Sequence, residues 1–262
     1  MKRILLMGEP GSGKTYAVGN TYPTPILLLN FDRGGWESII KRSVRLISRT
    51  ELEQIMSGKQ PPPAQVCVRN YLPSRTVISL ALFRDPQPEV ASDFIKDLNL
   101  VMVPSCPFKT ICIDPYTRMD EAIMDFILGM QGKKTPEIQH YKFQQDKKHE
   151  VLTSILAAAE GMPNLEALVV TAHTETTKVE GHGLRILPSG VGAKYQEVVG
   201  SLFSHVLYAT TETTGSGKLR YVVWTQPRSF VYGLKTRGQE LPPVVDNTWE
   251  ALAGKEVNNA KP

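Results

Sequence analysis

Residues 8–15 read Gly8-Glu9-Pro10-Gly11-Ser12-Gly13-Lys14-Thr15 and satisfy the spacing G-x-x-x-x-G-K-[ST]. Glycines there let a loop wrap until its backbone N–H groups point inward, and the Lys14 ammonium adds a full positive charge. A helix starting at Lys14 would bring the partial positive charge of its N-terminus to the same place. Such a loop is suited to hold a run of phosphates. Lys14 is placed to reach the β- and γ-phosphates of a nucleotide, and the Thr15 hydroxyl to bind magnesium. Gly8, Glu9, Pro10, Gly11, Ser12, Gly13, Lys14, Thr15 and Tyr16 are the candidate nucleotide-binding residues. A dinucleotide turn G-x-G-x-x-G is disfavoured, because its third glycine would fall on Tyr16. Gly215-Ser216-Gly217-Lys218 imitates the loop but lacks its first glycine and its hydroxyl residue, and reads as a hairpin turn.

Three further residues end apolar runs and are chemically able to serve such a loop. Asp114 closes TICID, where a carboxylate can hold magnesium or cap the following helix. Its neighbours are Ile113 and Pro115, so no second carboxylate adjoins it to activate water. Asp32 closes ILLLNFD, a strand expected to lie beside the phosphate-loop strand, and is the candidate general base; the alternative is a turn aspartate paired with Arg33. His173 closes VVTAH and is either a sensor of the terminal phosphate or an internally satisfied polar group.

These residues require a scaffold that brings several strand ends together. RILLM (3–7), ILLLNF (26–31), FKTICID (108–114) and EALVVTAH (166–173) read as buried strands, apolar throughout. Helical patterns follow at 14–20, 34–42, 49–58 (with Thr50 and Glu53 as a capping box), 91–102, 118–130 and 139–161. VRLI (44–47) and VISLALF (77–83) are possible strands within otherwise weak patterns, and KQPPPAQ is a loop. HVLYATTE (205–212) and KLRYVVWTQ (218–226) predict a hairpin, with SFVYGLK (229–235) as a possible further strand. Strands alternating with helices predict an α/β fold with a mostly parallel sheet flanked by helices and an antiparallel hairpin near the C-terminus. The expected organisation is a single domain over 1–250, with 59–90 as an irregular insertion and 251–262 as a polar tail.

Composition narrows the function classes. The 262 residues carry 41% hydrophobic content, enough for one substantial core. A net charge of +4, from 30 basic and 26 acidic residues, is too weak to argue for nucleic acid by itself. Three cysteines without C-x-x-C spacing argue against a disulfide framework or a zinc site. No apolar run approaches the roughly 20 residues of a membrane helix, and the N-terminus reads directly into a strand rather than a signal peptide. The expectation is a cytoplasmic protein with no membrane contact.

GEPGSGKT, LLLNFDRGG, TICIDPYTRM, ALVVTAHTE and LKTRG, in that order over about residues 1–240, resemble the RecA-like P-loop ATPases. The likeness points to the phage nucleotide-binding proteins of that superfamily, including the RecA/RadA-related single-strand annealing ATPases. It implies ATP and Mg2+ as cofactors, a homo-oligomer and single-stranded DNA as a partner. Gly8 to Thr15 would bind phosphate and, through Thr15, the metal; Asp114 would bind the metal; Asp32 would stand where the family usually has a catalytic glutamate. Pro115 replaces a frequent serine. His173 would be the sensor before a DNA-contacting loop, 174–196, in which Lys178, Arg185 and Lys194 would meet DNA phosphates and His182 and Tyr195 are the available rings. That loop reads equally well as an active-site lid. Lys235 and Arg237 would enter a neighbouring subunit's ATP site. A small-molecule phosphotransferase is the runner-up, disfavoured because Arg185 is the lone arginine of the loop; a nucleotide-dependent binding module with little turnover is favoured by the Asp32 substitution.

Overall fold

Successive residues of a strand face opposite sides of a sheet, so a strand apolar at every position must be covered on both. The strand Lys2–Met7 (β1) obeys this: Leu5 and Met7 join one buried cluster, Ile4 and Leu6 the other. The same alternation runs through Ile26–Asn30 (β2), Thr110–Asp114 (β5) and Ala167–Ala172 (β6). A computed structural model describes residues 1–72, 86–179, 183–189, 195, 198–228, 230–231 and 233–254.

Between β2 and β5 lie Val44–Leu46 (β3), helix Arg49–Met56 (α2), Val66–Asn70 (β4) and helix Pro88–Val101 (α3). Helices Tyr116–Met130 (α4) and Ile138–Glu160 (α5) connect β5 to β6. After β6 come Thr174–Val179 (β7), Gly183–Pro188 (β8), His205–Thr213 (β9), Leu219–Trp224 (β10), Lys235–Thr236 (β11), Val244–Asp246 (β12) and helix Trp249–Ala253 (α6). The main sheet runs β12-β10-β9-β1-β6-β5-β2-β4-β3, with β11 also paired to β9. From β9 to β3 every pairing is parallel; β10, β11 and β12 pair antiparallel. Helix Lys14–Thr21 (α1) and α6 cover one face, and α2 to α5 the other.

The mostly parallel α/β sheet and the β9–β10 hairpin are as the sequence predicts, and Gly217, at φ 78°, sits in the hairpin turn. Other expectations are corrected. β2 is not beside β1: β6 and β5 lie between them. Segment 59–90 is not wholly irregular, since it contains β4, whose Val66, Cys67 and Val68 are fully buried. Buried Asp97 on α3 accepts hydrogen bonds from Arg69 (2.8 Å) and Tyr71 (2.9 Å) at the end of β4, so this strand is built into the core. VISLALF (77–83) lies outside the described residues. Segment 34–42 forms one short 3-10 turn, Gly35–Ser38, rather than a helix. The capping box of α2 is Ser48 with Glu51, not Thr50 with Glu53. The reading of 174–194 as a loop gives way to an antiparallel pair, β7–β8, over its described part. Among its described residues, SFVYGLK supplies the start of the two-residue β11, and Val231 makes isolated bridges to Ile186 and Arg228. The polar tail begins later than residue 251, because α6 runs to Ala253 with Leu252 fully buried.

Candidate nucleotide site

Parallel strands deliver their C-terminal ends to one sheet edge, where ligands bind in open α/β folds. Here that edge carries the loop after β1, the start of α1, the turn after β2, Asp114 at the end of β5 and His173 after β6. They enclose a cavity of about 300 Å³ lined by Lys14, Thr15, Asp32, Asp114 and His173, with Pro10, Gly11, Gly13 and Tyr16. Four segments distant in sequence thus bring these predicted residues into one pocket. Lys235 and Arg237 are not brought there. Thr236 pairs with His205, which pairs with Ile4 near the start of β1, and Arg237 donates its backbone N–H to Ser204 (2.9 Å). They sit at the opposite edge, roughly 13 Å of strand from Gly8 at 3.3 Å per residue.

Two loop glycines, Gly11 and Gly13, have φ near 80°, a conformation open to glycine and strained for other residues. Buried Lys14 folds back onto the loop, donating to the carbonyls of Gly8 (2.8 Å) and Glu9 (2.9 Å) and to the Ser12 hydroxyl (3.3 Å). Burial lowers its pKa to about 8, against the pull of Asp114 and Glu9.

Asp114 does not cap α4: the N-cap is Pro115, and no side chain caps there. Its carboxylate accepts from the Thr15 hydroxyl at 2.6 Å on one oxygen and from the Thr171 hydroxyl on the other. Burial raises its pKa, although both hydroxyls and Lys14 favour the charged form. A hydroxyl beside one carboxylate suits magnesium, which takes few protein oxygens and fills its shell with phosphate and water. Among the described residues no cluster of three or more His, Cys, Asp or Glu side chains forms a self-sufficient metal cage.

Asp32 is half-buried on the turn after β2, and its carboxylate accepts the Arg33 backbone N–H at 2.7 Å. Fully buried Asn30 holds that turn, accepting from the Asp32 N–H (3.2 Å) and donating to its carbonyl (2.5 Å), and is itself anchored on Asn70 (2.8 Å). His173 is half-buried, and its Nδ1 has no hydrogen-bond partner among the described residues, so the reading of an internally satisfied histidine does not hold for that nitrogen. Burial and Lys14 lower its pKa, which favours the neutral ring.

Sequence reasoning missed four contributors. Thr171 carries a signal, a lone hydroxyl in an apolar strand. Gly34 and Gly35 line the cavity as an adjacent pair after Asp32, and a Cβ on Gly35 would stand 3.3 Å from the Thr15 hydroxyl. Tyr221, on β10, arrives from 206 residues past Thr15 with no local sign. Of the expected DNA contacts, Lys178 is exposed on β7 and Arg185 is half-buried on β8. His182 and Lys194 lie outside the described residues. Tyr195 is engaged with α5, its ring stacked on His149 (5.2 Å) and its hydroxyl donating to Asp146 (2.7 Å).

A protein-family model described as "AAA domain" matches residues 1–237. The chain belongs to this AAA-domain family. The match takes in the phosphate loop, Asp32, Asp114, His173, Lys235 and Arg237. Among solved structures, a KaiC-like protein from the archaeon Pyrococcus horikoshii is 12% identical, over 94% of this chain and 89% of its own, with a TM-score of 0.42. The flagellar accessory protein FlaH from Methanocaldococcus jannaschii is 9% identical, over 93% and 83%, at 0.38. An ATPase from the type III secretion system of pathogenic bacteria is 14% identical, over 80% of this chain and 52% of its own, at 0.44. No curated protein matches the chain. Among the described residues of this AAA domain, no helix is long and apolar enough to cross a membrane.

Proposed function

We propose that this AAA domain is a magnesium-dependent ATPase of the phage RecA-like type that assembles with copies of itself and acts on single-stranded DNA. The carrying observation is the convergence of Lys14, Thr15, Asp32, Asp114 and His173 on one cavity. Lys14 exchanges its bonds to the Gly8 and Glu9 carbonyls for phosphate oxygens. Thr15 and Asp114 would hold the metal, which when bound would supply positive charge to the phosphate oxygens. Asp32 orients a water and accepts its proton at the carboxylate. His173 offers its unpartnered ring nitrogen to the terminal phosphate.

Assembly is argued from Lys235 and Arg237. Both stand at the edge opposite their own pocket, so a second copy's pocket is the one they can complete, neutralising charge that develops during phosphoryl transfer. The DNA assignment draws on β7–β8, which begins at His173's neighbour Thr174. The Thr174 hydroxyl donates to Glu9 of the phosphate loop at 3.1 Å, which gives the hairpin a direct contact with the nucleotide site. Exposed Lys178 on β7 is able to meet DNA phosphate.

The test is the ATPase rate with and without single-stranded DNA. Stimulation is expected. Hydrolysis indifferent to DNA, or transfer to an added metabolite, would replace this reading with the phosphotransferase one. Tight ATP binding with negligible turnover would favour a binding module, a reading to which the Asp32–Arg33 contact lends weight. Arg237→Ala is expected to leave ATP binding intact while impairing turnover of the assembled protein, and unaltered turnover would remove the trans role.

A pH dependence follows from Lys14. Bound polyphosphate favours its charged form and so raises its pKa above the resting value of about 8. Binding then takes up a proton at alkaline pH. Affinity for MgATP should be flat below that value and fall as pH rises through it, by at most about tenfold per pH unit. Calorimetric titrations from pH 6 to 9.5 would read it, and a flat profile would separate Lys14 from the phosphates.

A further inference from the structure

We propose that Tyr221 and Tyr16 form a stacking platform for the nucleobase, so that the site recognises purine nucleotides mainly by ring surface. The inference rests on the reading that residues 8–15 hold a triphosphate, and adds the part of the ligand that this reading leaves unassigned.

Tyr16 directly follows Thr15 on α1, and Tyr221 comes from antiparallel β10; both line the cavity that contains Lys14 and Thr15. Their ring centroids lie 5.7 Å apart with planes inclined by 27°, an offset stack. Tyr221 is 40% exposed, unusual for a ring already in contact with a neighbour, so much of its surface is available to a ligand. The position is set by backbone. A Cβ on Gly13 would lie 2.5 Å from Tyr221 Cδ1, so the ring presses directly onto the phosphate loop, and any other residue at position 13 would push it off. Buried Asn247 fixes the same arrangement from behind: its backbone N–H donates to the Tyr221 carbonyl (3.1 Å) and its side-chain amide to the Gly13 carbonyl (3.3 Å). The Lys41 ammonium stands 5.8 Å from the Tyr16 ring centroid, which leaves a cation at the margin of the pair.

A ring held against the loop that grips the phosphates, and open on its outer side, is placed for the aromatic end of the same ligand. Stacking tolerates different bases because every base has a π-face, and it favours those with more area. ATP and GTP should therefore bind alike and CTP more weakly.

The test compares MgATP with magnesium tripolyphosphate, which carries the phosphates without a base, by calorimetry on the full chain. The wild-type protein should bind both, ATP more tightly. Tyr221→Ala should weaken ATP by about tenfold and leave tripolyphosphate unchanged. Tyr221→Phe, which keeps the ring, should retain ATP affinity. Equal weakening of both ligands would make Tyr221 a support of the loop and overturn the platform while sparing the phosphate site. A wild-type protein that binds tripolyphosphate as tightly as ATP, or CTP as tightly as ATP, would overturn it without recourse to any variant. Failure to bind either ATP or tripolyphosphate would bring down the underlying reading and the platform with it.

Discussion

Lys14→Ala is expected to reduce ATP hydrolysis by at least about a hundredfold, the loss that accompanies removal of one preorganised charge donor from a transition state. The side chain is 6% exposed, and each of its three partners belongs to the loop itself. Those bonds keep the ammonium inside the cradle before any ligand arrives, so little reorganisation is needed when phosphate oxygens replace the carbonyls. Alanine removes the charge but leaves the glycine conformations of the loop in place. The same burial that lowers the Lys14 pKa disfavours the charged resting form, so its removal should alter thermal stability much less than activity. Lys14→Arg should not rescue turnover, because a planar guanidinium does not reproduce a compact ammonium in a buried position. Phosphate release and the thermal shift produced by MgATP check the two halves of this expectation. Wild-type turnover in Lys14→Ala would remove the loop from the chemistry.

The parts of this AAA domain that the sequence discloses are those whose physics is local. The phosphate loop needs glycines, a lysine and a hydroxyl at fixed spacing, and β1, β5 and β6 carry apolar runs on both faces because both faces are covered. The parts that were hidden depend on pairing at long range. β4 is a buried strand of five residues behind the proline run 61–63, and its place between β2 and β3 is decided by register with Leu27 and Leu28 rather than by its own pattern. The order of β1, β6, β5 and β2 follows from crossovers, so the expectation that Asp32's strand would neighbour the phosphate-loop strand had no local basis. Asp32 reaches the cavity even so, because the turn held by Asn30 carries it over the ends of two intervening strands. Ser48 rather than Thr50 caps α2 because the helix begins at Arg49, as its pattern indicates, which puts Thr50 inside the first turn and leaves Ser48 at the cap.

Asp114→Asn should separate catalysis from stability more sharply than any other substitution in the site. The carboxylate is 3% exposed, and its two oxygens are taken by the Thr15 and Thr171 hydroxyls. Asparagine keeps the size and one accepting oxygen for Thr171, and its amide can turn a donor toward Thr15. It cannot supply the anionic oxygen that magnesium requires, and loss of the metal's charge stabilisation, several kcal/mol, should lower hydrolysis by about a hundredfold or more. Stability should move the other way. The Asp114 pKa in the folded chain is raised from 3.8 chiefly by burial, so the folded state binds a proton more readily than the unfolded one. Its contribution to folding is therefore fully present below about pH 3.8 and lost as pH rises through the raised value, leaving a desolvated charge in the metal-free protein at neutral pH. Asparagine carries no such charge, so without nucleotide the variant should melt at or above the wild-type temperature at pH 7. Melting curves with and without MgATP, alongside turnover, read the whole pattern: an undiminished apo Tm, a lost ligand-induced shift and absent hydrolysis. A variant that is destabilised without ligand yet still shifted by MgATP would mean that Asp114 supports the fold and that the metal is held elsewhere.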